Sequence, residues 1–380
     1  MEISERLWGM VRKMKPYLAT VFLQISFAVM YTIVAVSLKH GLSHFVFSVY
    51  RHAVATLFIV PFALILERKT RPTMTLPIFL RILLLGFIEP VMDQNLYYLG
   101  MKYTSATFAS ASVNILPAVT FIFAVVFRLE SVKVREKHSV AKVAGTAISL
   151  GGAMVMSLYK GPAFNLLPGA RGGSETTGRI TTNESTDQHW VTGTILVLIS
   201  CCGWSAFFIL QSMTLKLYPA EFSLAALICF VGMVGGGIVT LVAERNMKIW
   251  VIGWDSKLLA VVYSGIVCSG TAYYVQGVVM KERGPVFVTS FSPLCMIVTA
   301  ALGSFFLAEK IHLGSVIGAV IVVVGLYTVI WGKTRDFETS KESNNELPIT
   351  GSTFRSASDD SNAGEVSGKP VEAPAKPPVP

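Results

Sequence analysis

Charged residues are scarce in this chain. They fill 14% of its 380 positions while hydrophobic residues fill 52%, and a soluble domain carries about 25% charged residues. An ordinary soluble fold is thereby excluded, and the composition is that of a membrane protein. A disulfide framework is missing as well. The five cysteines, Cys201, Cys202, Cys229, Cys268 and Cys295, all lie inside apolar runs, where reduced packing residues are expected rather than the staples of a secreted domain. No metal-ligand cluster or activated nucleophile stands out. The histidines His40, His44, His52, His138, His189 and His312 are scattered, with His40 and His44 the one pair at helical spacing, near a span end. This argues against the rival class, an intramembrane enzyme, and implies no catalytic residue, no metal and no cofactor. The formal charge of +9 comes from short basic clusters between apolar runs, which membrane orientation explains without a nucleic-acid face.

What the sequence has instead is long apolar runs. Ten lie at about 17–38, 45–66, 77–98, 104–127, 140–157, 190–213, 221–243, 257–279, 285–307 and 313–331, each close to the ~20 residues that a helix needs to cross a bilayer. The first exceeds the apolar core of a cleavable signal, about 7–15 residues, and is expected to be retained. Residues 158–189 form a polar loop between the fifth and sixth runs. A tail at 333–380, rich in Ser, Glu, Asp, Pro and Lys, has too little apolar surface to fold and is expected to be disordered. Its Ser356 and Ser358, beside Asp359 and Asp360, are candidates for phosphorylation.

Basic residues set the expected orientation. Arg6, Arg12, Lys13 and Lys15 precede the first run, Arg68, Lys69 and Arg71 follow the second, and Arg128, Lys133, Arg135 and Lys137 follow the fourth. These segments share one side if each run crosses once, so both termini are expected in the cytoplasm and the 158–189 loop outside. Lys216, Lys281, Arg283 and Lys333 agree with this, whereas Arg245, Lys248 and Lys310 do not. Asn183 opens the triplet Asn183-Glu184-Ser185 in that loop, a candidate glycosylation site.

The two sets of five runs are related. Tyr97-Tyr98 precedes Pro117 as Tyr273-Tyr274 precedes Pro293, both at an offset of 176 residues, and a shared register of tyrosines and prolines points to duplication of a module. Phe47-Ser48 through Glu67-Arg68 is echoed by Phe222-Ser223 through Glu244-Arg245, and Glu130 before Gly145 and Gly151 by Glu309 before Gly318 and Gly325. The glycines also suit close helix contact. An odd number of spans per half makes the halves insert with opposite topology, as in inverted-repeat transporters. The expected organisation is a cytoplasmic amino terminus at 1–16, a first repeat at 17–157, an extracellular loop at 158–189, a second repeat at 190–332 and a cytoplasmic tail at 333–380.

Several strings are more specific. Pro72-Thr73-Met74-Thr75-Leu76, the segment from Glu89 through Tyr98, Leu158-Tyr159-Lys160-Gly161-Pro162, Arg283-Gly284-Pro285-Val286-Phe287 and the run from Ala308 through Gly314 resemble the plant nodulin-related EamA-type transporters. That group, also called the walls-are-thin-related or UMAMIT family, belongs to the drug/metabolite transporter superfamily. The resemblance, over about residues 8–335, implies an all-α membrane protein of ten transmembrane helices in two inverted five-helix EamA repeats around a substrate path. It implies facilitated, often bidirectional, movement of amino acids, with auxin or other organic acids as the alternative cargo. The expected setting is the plasma membrane of a plant cell, with the vacuolar membrane as the alternative. Its partners are then the small-molecule substrate, the lipid bilayer and protons. A non-transporting receptor or scaffold is the alternative of a different class, and it would normally carry a folded soluble domain.

Polar groups inside apolar runs are costly and usually face a cavity or one another. Gln24 and Tyr31 lie in the first run, Arg51 and His52 in the second, Glu89, Asp93, Gln94 and Asn95 in the third, and Asn114 in the fourth. Gln211, Ser269, Thr271 and Gln276 are the candidates of the second half. For the neutral ones, hydrogen bonding between helices is the commoner explanation, and for the ionised ones the balance tilts to function. Pro117 and Pro293 lie mid-run, where each ring breaks the backbone ladder. The freed carbonyls, expected near Val113 and Thr289, either face substrate or accompany a packing kink. Glu89 and Asp93, at i and i+4, share a face if the third run is regular α-helix. Counting depth at ~1.5 Å per residue sets Arg51 level with Asp93. An Arg51–Asp93 ion pair is therefore expected, with Glu89 left as the free carboxyl, able to exchange protons or hold a substrate ammonium. The alternative is that both acids complete a structural network with Arg51, Gln94 and Asn95.

Overall fold

The computed structural model describes residues 2–104, 109, 112–130, 136–159, 162–164, 184–243, 250–306 and 311–345. Contacts divide the chain into Met1–Thr339 and Ser340–Pro380, and the architecture below is that of the first unit. Asn183, Ser356, Ser358, Glu309 and most of the 158–189 loop lie outside the described residues.

The described fold is helical apart from one two-residue antiparallel pairing, Ala163 with His312 and Phe164 with Ile311. Among the described residues, eight helices are long and apolar enough to cross a membrane: Met14–Leu38, His44–Leu66, Lys137–Met156, Trp190–Leu217, Glu221–Ala243, Ser256–Arg283, Pro285–Phe305 and Leu313–Asp336. They fall on the first, second and fifth to tenth expected spans. The third position is a continuous helical rod made of Leu76–Gly86, a π-helical turn Phe87–Asp93 and Gln94–Tyr103, and it carries Arg81, Glu89 and Asp93. Of the fourth, the described helix is Leu116–Val126. Large apolar side chains such as Leu57, Ile65, Val242 and Tyr327 are exposed, as suits helices whose outer faces meet lipid rather than water.

Two helices outrun the expected boundaries. The first is helical from Glu2 to Lys39 and the tenth from Leu313 to Asn345, so residues 333–345 are helical where a disordered tail was expected. The tenth rod continues past its apolar part, and its Lys333 and Asp336 are held there by ion pairs to Glu130 and Lys142. Lys142 is fully buried and also pairs with Glu130 at 2.7 Å. His138 Nε2 lies 2.7 Å from Glu136 and 2.9 Å from Asp336. These residues, scattered in the sequence, form one network that joins the start of the fifth span to the end of the tenth.

Equivalent helices of the two halves run antiparallel. Glu67, after the second span, accepts hydrogen bonds from the backbone N–H groups of Phe222 and Ser223 at 2.9 and 2.7 Å, so it caps the start of the seventh, whose first-turn amides lack partners within the helix. At the other end, the Thr240 hydroxyl donates to the Phe45 carbonyl. The fifth and tenth spans behave likewise: a Cβ on Gly145 would meet Val329 N at 2.7 Å, and one on Gly318 would meet Met156 N at 2.6 Å. Two copies of a helix that meet head to tail across the molecule are the geometry of an inverted repeat. The third span packs on the sixth and seventh, and the eighth on the first and second, so each half supplies the other's walls.

Candidate functional site

Of the expected site residues, Arg51, Glu89, Gln94 and Ser269 gather where side chains of the second, third and eighth spans meet, beside the π-helical turn of the third. A π turn bonds i to i+5 and is common at functional sites, and the Gln94 backbone N–H donates to the Glu89 carbonyl. In that register the residue stacked over Glu89 is Gln94, whose Nε2 lies 3.5 Å from Glu89 Oε1. Asp93 is turned the other way, toward the sixth span, where it accepts a hydrogen bond from the Ser200 hydroxyl at 2.5 Å.

The expected Arg51–Asp93 ion pair is therefore absent. Arg51 instead reaches the eighth span, with Nε donating to Ser269 Oγ at 2.6 Å and Nη2 to the Cys268 carbonyl at 3.3 Å. The extra residue in the π turn rotates Asp93 away, which a regular α-helical count cannot register. Among the described residues no ion pair joins Arg51 to a carboxylate. Its guanidinium lies within electrostatic reach of Glu89 and Tyr273, and it is only 8% exposed. A buried arginine has donors to spare after two bonds.

Glu89 is not free of partners, contrary to expectation. Tyr273, of the duplicated tyrosine pair, donates its hydroxyl to Glu89 Oε2, and Gln94 in turn accepts from the Ser48 hydroxyl at 2.9 Å. Both partners are neutral, so no cation compensates the carboxylate directly. Behind Tyr273 the chain continues: Gln211 Nε2 donates to its carbonyl at 3.4 Å, and Gln276 Nε2 donates to Gln211 Oε1 at 2.6 Å. Gln211 and Gln276 are thus engaged between helices. Asn95 is spent within its own helix, donating to the Val91 carbonyl at 2.5 Å. Gln24 and Asn114 are buried in the first and fourth spans. His52, beside Arg51 and fully buried, donates from Nδ1 to the Ser48 carbonyl at 2.8 Å and leaves Nε2 without a partner.

Tyr31 of the first span stands near Arg51. Tyr31 is 40% exposed, yet Cys295, Tyr97, Tyr98 and Arg51 all lie within electrostatic reach of it. Tyr31 is thus accessible although side chains of the second, third and ninth spans come close to it. The two expected helix breaks lie at Pro117 and Pro293. Each proline stands in the first turn of a new helix, Leu116–Val126 and Ser292–Phe306, where it lacks nothing that a helix start requires. The fourth span's break is covered by the sixth, through Ser205 Oγ to the Leu116 carbonyl at 3.5 Å, whereas Cys295 of the ninth is within electrostatic reach of Tyr31. Sequence reasoning missed Tyr273, Ser200 and Ser48 as partners. The repeated tyrosine pair was the available signal for the first, and single serines carry none.

Comparison with known proteins agrees with this architecture. Residues 14–158 and 191–331 each match the EamA-like transporter family. Two WAT1-related proteins of Arabidopsis thaliana are similar along nearly the whole chain, one 57% identical over 91% of this chain and 94% of its own, the other 55% identical over 96% and 97%. A protein of known crystal structure is 15% identical with a TM-score of 0.59 over 84% of this chain and 96% of that one, a likeness of fold alone.

Proposed function

This chain belongs to the EamA-like transporter family, and from that premise we propose that it carries amino acids through the plasma membrane by alternating access. It is a membrane transporter of the drug/metabolite superfamily and not an enzyme. The cargo is argued from one observation: Arg51 and Glu89 are both buried, lie within electrostatic reach of one another, and do not form an ion pair with each other or with any other described side chain. A zwitterion completes both. Its carboxylate takes the unused donors of Arg51 in a charge-assisted pair, its ammonium takes Glu89, and Tyr31, Tyr97 and Tyr98 offer aromatic surface to the side chain. An auxin-like or other organic acid would use Arg51 and leave Glu89 facing it without a cation, so amino acids fit better. When substrate leaves, Glu89 is placed to accept a proton, which would make protons a second passenger.

In this proposal residues 17–157 and 190–332 are the two repeats, both termini are cytoplasmic, and tags near residue 175 and at the carboxyl end lie on opposite faces. The cargo is tested by uptake and efflux of a labelled amino-acid panel in transport-deficient cells. Movement of several amino acids in competition with one another is expected. If none moves while the protein stands at the cell surface, the cargo is wrong.

A further inference from the structure

The turn that leaves the second span builds a second polar feature, remote from Arg51 and Glu89. A cavity of about 310 Å³ opens there, lined by Ala63, Leu64, Arg68 and Arg71. Two backbone bonds fold the turn, from Thr70 N–H to the Glu67 carbonyl at 3.2 Å and from Arg71 N–H to the same oxygen at 2.9 Å, and they bring both arginines to one notch. The wall beneath them is apolar and faces outward, since Leu64, Ile65 and Leu66 are 55%, 76% and 58% exposed. These are the last residues of a span long enough to cross a bilayer, so the notch lies at the boundary between hydrocarbon and water.

Its positive charge is uncompensated among the described residues. Glu67, the one acid between Ala63 and Thr75, has both carboxylate oxygens committed to the amides of Phe222 and Ser223. Neither guanidinium pairs with a described carboxylate, and the charge of Arg71 reaches the buried phenol of Tyr218. We propose that this notch binds the headgroup of an anionic phospholipid, with the phosphate held between Arg68 and Arg71 and an acyl chain lying along Leu64. Guanidinium groups match phosphate oxygens bidentately, and basic pockets at the ends of spans are where anionic headgroups collect. A free phosphate ion shares the headgroup's charge but has no use for the exposed leucines.

The test uses the full chain reconstituted in nanodiscs of phosphatidylcholine with phosphatidylglycerol as the minor component, then extracted in mild detergent, with the retained lipid counted by mass spectrometry. Wild type is expected to retain phosphatidylglycerol above its share of the mixture. Arg68→Gln with Arg71→Gln lowers that retention, by about fivefold for each arginine removed. Lys69→Gln, which deletes an exposed neighbouring charge that does not line the notch, leaves it unchanged. Where the double variant fails to give folded protein, Arg71→Gln alone is read in the same way. Equal retention in wild type and the arginine variants overturns the proposal, as does an equal loss in Lys69→Gln, which would show unspecific attraction. Displacement of the lipid by inorganic phosphate at low concentration would also overturn it, in favour of a site for the free ion. Transport does not enter the readout, so failure here leaves the cargo proposal standing, and the reverse.

Discussion

In the third span the π-helical turn carries Glu89 and Asp93 and packs against glycines of the seventh span, where a Cβ on Gly232 would meet Pro90 at 2.5 Å and one on Gly235 would meet Val91 at 2.7 Å. In the eighth span the corresponding turn, Ser264–Thr271, carries the glycines itself. A Cβ on Gly265 would lie 2.8 Å from the Arg51 carbonyl, and Gly265 and Ser269 stand where the first half has Glu89 and Asp93. The backbone device was thus kept in both copies while the small residues moved from one partner to the other. Close approach needs a missing side chain on one side only, so the side relieved of that duty in each half was free to take charge. The first half supplies both the carboxylate, on its third span, and the guanidinium, on its second, so a single charged site is made instead of one in each repeat.

The largest effect is expected from Glu89→Gln, which makes the third span as uncharged at that position as the eighth. Glutamine keeps hydrogen bonds to Tyr273 and Gln94, so surface levels should hold. Amino-acid transport should fall by about ten- to a hundredfold, the worth of a charged hydrogen bond of about 1.5–3 kcal/mol, and should lose its pH dependence. Unchanged rate and pH profile at normal surface levels would remove the carboxylate from the mechanism. Arg51→Gln attacks the comparison from the second span, the neighbour of the glycine-bearing eighth. It should weaken carboxylate-bearing substrates by about tenfold at least while sparing amines that lack the carboxylate, as competition between alanine and ethylamine would show.

Gly265→Val tests the packing rule. The new methyl groups must displace the second span's backbone, at a cost of about 1–3 kcal/mol, seen as a lower melting temperature in detergent. Gly237→Ala in the seventh span, where a Cβ meets nothing within 4 Å, should leave melting unchanged or raise it slightly. The smallest effect belongs to Asp93→Asn. Arg51 does not depend on Asp93, and asparagine can still accept from Ser200, so stability should change by no more than about 1 kcal/mol. A collapse of surface abundance in that variant would restore the Arg51–Asp93 pair that the α-helical count had suggested.

Much of the architecture was legible before any coordinates. The apolar runs foretold the spans, because a bilayer imposes a length that composition must meet. Duplication showed in Tyr97-Tyr98 and Tyr273-Tyr274, and the prolines marked two helix starts. The site was legible as an inventory and not as an arrangement. Arg51, Glu89 and Asp93 were each suspect because ionised groups are costly at membrane depth, but their partners were misassigned. Tyr273 could have been weighed earlier, since its equivalent position in the duplicated pair drew notice for symmetry alone. The contacts of Glu130, Lys142, His138 and Asp336 had no signal in their spacing, since they join the fifth span to the tenth.

The amino-acid sequence alone determined that this is a polytopic helical protein, duplicated, with charge buried in its second and third spans. Those properties are local: hydropathy, length and repetition are read along one strand of chain. Which charges meet was decided only in three dimensions. One extra residue in the π turn at Phe87–Asp93 swings Asp93 to Ser200 and sets Gln94 over Glu89, and the antiparallel packing of the halves brings Ser269 and Tyr273 to Arg51 and Glu89. The rotation of a helix about its own axis costs little and leaves no trace in composition, yet it selects the partner of every buried side chain.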